Sequence, residues 1–256
     1  MNYSVSSLSY VGPRMDWMNR LPADFGIEIF WDYGDEEYYN RVLTELMHRR
    51  KGEFSIHGPM PLDFAEACQD ERLFERLKRP FGLYHRFDSK FYVLHTHTKF
   101  TLSSDPTEDE LRRKLELSIA RINRFDEICK SEGVQLVIEN IGKRPDGVTL
   151  FDEDNFLNLF RQNPSLRCLL DVGHAVLGDY DIANIQRTLN KQIIAYHIHD
   201  NHGKSDEHIR MGKGVIDWNT WKECCWTYTP DAEIVFEYDG IPDETVYIED
   251  RARIEK

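Results

Sequence analysis

Short apolar runs alternate with longer amphipathic stretches along this chain, the pattern of β-α units that assemble into a parallel sheet. The apolar runs predict strands at Tyr3–Leu8, Gly26–Trp31, Phe54–His57, Phe91–His95, Gln135–Glu139, Arg167–Asp171, Ile193–His199 and Glu233–Glu237. The clearest helix is predicted from Thr107 to Glu132. There Leu111, Leu115, Ile119, Ile122 and Ile128 recur at helical spacing, and Thr107 with Glu110 forms the signature of a capping box. Asp35–Arg50 has the same character, and further helices are expected within Pro61–Leu77, Asp152–Arg161, Ile182–Asn190 and Trp218–Cys225. The tail after Asp239 is short, acidic and weakly patterned, which predicts an abbreviated last helix.

Eight such units in 256 residues fit one α/β domain, a (β/α)8 barrel spanning 1–256, because about 250 residues is the usual size of that fold. Composition narrows the class. The chain is 41% hydrophobic and 30% charged and has no run of about 18 apolar residues, so neither a membrane span nor a disordered chain is expected. The N-terminal residues carry no basic start followed by an apolar run, which makes the cytoplasm the expected location. Five cysteines, Cys68, Cys129, Cys168, Cys224 and Cys225, are odd in number and never spaced as CxxC, so reduced, mostly buried thiols are expected. The formal charge of −13 repels a polyanion and argues against a nucleic-acid partner unless bound metals reverse the field locally.

The strand ends carry the chemistry. His57, His95, Glu139, Asp171, His199 and Glu237 each fall at or beside the last residue of a predicted strand, and in a barrel those ends converge on the mouth that holds the active site. Alternation along a strand puts Val137 and Glu139 on one face, as it does Leu169 and Asp171, Ala195, His197 and His199, and Val235 and Glu237. Each pair sets a polar group above an apolar one. Carboxylates and imidazoles crowded into one pocket cost several kcal/mol per buried charge unless a cation pairs them, and a metal is the simplest such cation. Oxygen and nitrogen donors without thiolate suit Zn2+, Mn2+, Co2+ or Fe2+, with Mg2+ also compatible.

The segments HGP at His57, IEN at Glu139, DVGH from Asp171, HIHDN from His197, DEHIRMGKGVIDW from Asp206 and FEYDG at Glu237 resemble the xylose isomerase-like barrel superfamily, which includes sugar phosphate isomerases and epimerases as well as endonuclease IV. The resemblance implies that Glu139, Asp171, His199 and Glu237 ligate metal and that Glu139 and Glu237 also act as acid and base. It implies a substrate-binding or ligating role for His174, and makes His57, His95, Asp206 and His208 further ligands or substrate contacts, with one to three ions in all. The function so implied is a divalent-metal-dependent isomerase or epimerase acting on a sugar, sugar phosphate or cyclitol through an enediolate. The alternative is an endonuclease IV-like phosphodiesterase acting on abasic DNA. Related barrels often pair, so a homo-oligomer is a further expectation.

Plainer roles stand beside these. Strand-end carboxylates also bond to arginines, pocket histidines also bind substrate without metal, and the loop bearing Asp206 and His208 also reads as a solvated lid. His197, one layer below His199, is expected in the hydrogen-bonded core or behind the ligands. Glu28 ends the second strand and either reaches the pocket or pairs with a basic residue; His97 and Lys99 follow the fourth strand as contact or solvent-facing residues. Phe30, Trp31 and Tyr33 stack on a sugar or cap the barrel, and Gly212 and Gly214 shape a turn.

Overall fold

The computed structural model describes residues 1–60, 64–66, 68–96, 100–143 and 147–256. Eight parallel strands close into a barrel in chain order: β1 (Tyr3–Ser6), β2 (Gly26–Phe30), β3 (Phe54–His57), β4 (Tyr92–His95), β5 (Leu136–Glu139), β6 (Arg167–Asp171), β7 (Ile193–Ile198) and β8 (Glu233–Phe236). β8 pairs with β1 to complete the ring. Each strand lies inside its predicted run, and several end a residue or two early for local reasons. β1 stops at Ser6 because that hydroxyl accepts from Leu8 N at 3.3 Å and starts a 3-10 turn over Ser7–Tyr10.

Alternation sorts the strand side chains into two layers. Phe91, Val93, Val137, Leu169, Ala195 and Val235 fill the barrel interior as a separate apolar cluster. Their strand neighbours Tyr92, Leu94, Ile138, Leu170, Tyr196 and Phe236 face outward into the larger core under the helices. The interior layer is therefore the predicted one, with the ligand-type residues next above it.

The helices are α1 (Glu36–Met47), α2 (Asp70–Lys78), α3 (Phe81–Arg86), α4 (Glu108–Ser131), α5 (Glu153–Gln162), α6 (Val172–Leu177), α7 (Ile182–Thr188), α8 (Trp218–Tyr228) and α9 (Glu244–Ile254). Aspartates start many of them: Asp35, Asp152, Asp181 and Asp217 each accept from backbone N–H groups in the first turn. Three expectations need correction. The predicted capping box is half formed, since Thr107 accepts from Glu110 N at 3.2 Å while the Glu110 carboxylate turns to Ser103 instead. The helix expected within part of Pro61–Leu77 is α2, from Asp70, but α3 after it was not expected. The last helix is not abbreviated: α9 is 11 residues long, capped by Asp243, and buries Tyr247 and Ile254 while Asp250 accepts from Arg210. Its weak pattern reflects a buried face that is partly polar.

All five cysteines are thiols. Among the described residues, no helix is long and apolar enough to cross a membrane.

At the N-terminal end the barrel interior closes with a polar plug. Buried Glu233 accepts from Ser4 and lies 3.3 Å from Lys90 Nζ, which also pairs with Glu53. Burial pushes the Glu233 carboxyl up to about 7, Glu53 adds to the shift, and Ser4 and Lys90 oppose it. A folded-state value above the ordinary 4.5 means that the folded chain holds this proton more tightly. The resulting stability is complete below the ordinary value and is lost as pH climbs through about 7. Thermal melts of the native protein should therefore fall between about pH 4.5 and 7, and Glu233→Gln should flatten that fall. An unchanged slope in the variant would remove Glu233 as its source.

Candidate metal centre

Strand register brings the polar ends to one height. Phe30 pairs with His57, His95 with Glu139 and Asp171 with His197, so side chains from β3 to β8 meet at the C-terminal mouth. They gather into three groups whose candidate ligand atoms lie within 4.8 Å of one another: His57, His95 and Glu139; Glu139, Asp171, His197 and Glu237; and His174, His199, Asp206 and His208. Glu139 belongs to two of the groups, and Asp171 Oδ2, 3.0 Å from His199 Nε2, links the second to the third.

The donor geometry fits a cation. His57 donates from Nδ1 to the Gly58 carbonyl at 3.1 Å, His174 from Nδ1 to the Asn140 carbonyl at 3.0 Å, and His208 from Nδ1 to the Glu237 carbonyl at 2.9 Å. Each anchor fixes the ring and turns Nε2 toward a group centre, the orientation that metal-bound imidazoles take. His57 Nε2 and His95 Nε2 stand 3.1 Å apart, and both lie near Glu139 Oε2, at 3.3 and 3.1 Å. Even so, Glu139 Oε2 and Glu237 Oε1 are buried without a well-directed hydrogen bond. Atoms that converge on a point without satisfying each other are what a cation would complete.

Short motifs build this geometry locally. Asp171 is at once the last residue of β6 and the cap of α6: its Oδ1 accepts from His174 N at 2.6 Å, leaving Oδ2 for His199. Asn140 clasps the same residue, donating to the Asp171 carbonyl and accepting from Asp171 N, both at 2.9 Å. A Cβ on Gly173 would overlap the His199 ring, so the position requires glycine. Asn201 donates to the Gly173 carbonyl at 3.0 Å. Buried Asp200 accepts from Gly212 N at 2.9 Å, Ile216 N at 3.3 Å and Trp218 Nε1 at 2.9 Å, which folds the following loop back over the mouth. Within that loop His208 sits at φ 46°, a left-handed conformation unusual for histidine, and delivers Nε2 to Asp206 Oδ2 at 3.1 Å. Asn140, Asp200 and Asn201 lie inside the motifs noted in the sequence, but only the fold exposes what their amides and carboxylate hold together.

Neighbours set the charge of each group against burial. For Glu139, burial works upward, yet His95, His197 and His174 hold it well below the ordinary carboxylate range; His174 and His199 hold Asp171 down in the same way. For Glu237, burial prevails and its carboxyl is raised, with His197 and His208 opposing. Burial lowers the His95 imidazole. Burial also works downward on His174, His197 and His208, but the facing carboxylates raise all three, His208 up to about 9.

All nine expected residues thus meet at the mouth, and His197 joins them. His199 Nε2 stands 3.0 Å from Asp171 Oδ2, while His197 Nδ1 lies 3.1 Å from Glu139 and 3.3 Å from Glu237. His199, beyond the end of β7, leans to the outer group. Glu28 is inside the barrel and bonded to His197, not to a lysine or arginine. Above the groups, Leu8, Phe30, Tyr33, Met60 and Asp239 wall a cavity of about 280 Å3, and Phe30 stacks on His57 with ring centres 3.9 Å apart. Trp31 packs on Tyr39 below. His97 and Lys99 lie outside the described residues.

Two outcomes follow. Gly173→Ala should displace His199, costing about 1–3 kcal/mol of stability and weakening cobalt binding about tenfold or more; native affinity in a titration would contradict the crowding argument. Zinc uptake at about pH 7 should release protons, because the facing carboxylates favour the protonated form of His174, His197 and His208 and a bound ion would displace it. Calorimetry in buffers of different ionisation enthalpy reads this directly, and no proton release would contradict it.

Comparison with known proteins agrees with this architecture. The uncharacterized protein MJ1614 of Methanocaldococcus jannaschii is 32% identical over 143 residues, a stretch that covers 54% of this chain and 51% of that relative. The alignment thus spans about half of either protein. A D-tagatose 3-epimerase-like protein superposes with a TM-score of 0.83 at 23% identity, covering 100% of this chain and 97% of the other. AP endonuclease, family 2, from Brucella melitensis superposes with a TM-score of 0.74 at 14% identity, covering 99% of each chain. At these identities the structural likeness is one of fold. The family model described as xylose isomerase-like TIM barrel matches residues 21–252, and the chain belongs to that family.

Proposed function

We propose that this protein is a divalent-metal-dependent isomerase or epimerase of a sugar, sugar phosphate or cyclitol. The observation that carries the proposal is the pair of buried glutamates, Glu139 on β5 and Glu237 just past β8, which flank His197 beneath one cavity with their carboxyls shifted in opposite directions. Such separation supports reading one as proton acceptor and the other as proton donor. The ion, when bound, supplies Lewis-acid polarisation of a carbonyl and its neighbouring hydroxyl. Zn2+, Mn2+, Co2+ and Mg2+ all suit the donor set of Glu139, Asp171, His199 and Glu237, with His197 now beside them.

Ionised Glu139 takes the carbon-bound proton, and Glu237, raised by burial, returns one. Delivery to the adjacent carbon, with the hydroxyl proton passing to the former carbonyl oxygen, is isomerisation, and delivery to the opposite face of the same carbon is epimerisation. His174 and His208, which reach the cavity floor, hold substrate hydroxyls, and Phe30 and Tyr33 offer aromatic faces to the C–H side of a sugar. Met60 and His95 line both this cavity and a neighbouring one of about 610 Å3, giving the substrate room to extend. The D-tagatose 3-epimerase-like neighbour supports the same chemistry.

Deuterium exchange into ketoses and ketose phosphates, followed by NMR with the manganese- or cobalt-loaded protein, tests the reading whichever product forms. Glu139→Gln and Glu237→Gln should each slow exchange roughly 10²–10⁴-fold. Exchange that persists in Glu237→Gln would remove its role.

One observation favours a second reading. Three adjoining ligand groups that share carboxylates are also what a multi-metal phosphodiesterase requires, with water activated on one side and the leaving oxygen stabilised on the other. Three zinc ions per chain together with incision of an abasic duplex would favour it. One ion per chain and intact duplex would favour the isomerase.

A further inference from the structure

A polar relay runs through the barrel interior beside its apolar layer and reaches the candidate ligands. Glu28 on β2 is fully buried and stands in register with Ser6 and Ser55. Both of its oxygens are engaged. Oε2 accepts from Ser55 Oγ at 3.0 Å, and Oε1 accepts from His197 Nε2 at 2.9 Å. His197 crosses the barrel to present Nδ1 to Glu139 Oε1 at 3.1 Å and to Glu237 Oε2 at 3.3 Å. Its ring lies parallel to that of His57, with centres 5.9 Å apart, which further limits its rotation.

A carboxylate here is costly, because a buried ion gives up its hydration, and an apolar residue would simply extend the layer of Val93, Val137, Leu169 and Val235. What the carboxylate supplies is a fixed orientation. With Glu28 on Nε2, the imidazole has one rotamer and one face toward Glu139 and Glu237. We infer that Glu28, steadied by Ser55, is a positioning residue for the metal centre: through His197 it holds Glu139 and Glu237 at the spacing that an ion and a substrate require. This role rests on the metal-dependent reading above.

Titration of the protein with Co2+ alone, followed by visible absorption, tests it independently of turnover. Glu28→Leu conserves volume and removes the acceptor; it should weaken cobalt binding about 10–100-fold and alter the absorption envelope. Glu28→Gln retains an acceptor for Nε2 and should recover most of that loss. Native affinity in Glu28→Leu would overturn the role, and a loss in Glu28→Gln as large as in Glu28→Leu would overturn it in favour of charge alone. Should Glu28→Leu fail to fold, Ser55→Ala carries the test, because it frees Glu28 Oε2 and leaves the rest intact. A clear loss of cobalt affinity in Ser55→Ala supports the role, and native affinity overturns it. A native protein that takes up no cobalt overturns the metal-dependent reading and this role together, whereas native binding with unchanged variants overturns only the role.

Discussion

Glu139, Asp171 and Glu237 are buried within reach of one another at the mouth of the barrel, and three carboxylates cannot all be charged there without positive charge among them. Facing imidazoles supply part of that charge. His174 and His197 are both raised well above the ordinary histidine range, and Glu139 is correspondingly lowered. A divalent ion would do the same with fewer groups and would displace the imidazole protons. The rest of the mouth is organised around this need for compensation.

Rigidity comes from backbone satisfaction rather than from the ion-pair set itself. Asp171 caps α6 with one oxygen and offers the other to the site, so helix start and ligand position are a single event. Asn140 and Asn201 tie adjacent strand ends together, and Asp200 gathers three donors from the loop that carries Asp206 and His208. Gly214 is required in that loop, since a Cβ would overlap the Asn201 carbonyl. The strained His208 backbone is held in place by its own bond to the Glu237 carbonyl.

A barrel divides labour between its ends. The N-terminal plug of Ser4, Glu53, Lys90 and Glu233 closes the interior, whereas the C-terminal end places ligand-type side chains on strand termini and on loops that can vary. The apolar layer between them separates two polar centres that would otherwise share one charged interior.

Local pattern along the chain was enough to specify the barrel and the strand-end residues of its mouth, whereas His174, Asp206 and His208 were implied by the family resemblance. Period-two alternation within each apolar run fixes which side chains point inward, and Val137 beneath Glu139 or Val235 beneath Glu237 is readable from that period alone. Helix starts are legible where an aspartate or threonine precedes an amphipathic run, as at Asp35 and Thr107. The C-terminal helix is not, because Tyr247 packs on Tyr10 and Asp250 accepts from Arg210, both far off in the chain, and leave no regular stripe. It took the folded chain to bring His197 as well as His199 to the carboxylates, to bond Glu28 to His197 from the far wall, and to close Asn140 around Asp171. Those relations depend on register and on the angle between strands far apart in the chain, which local periodicity does not encode.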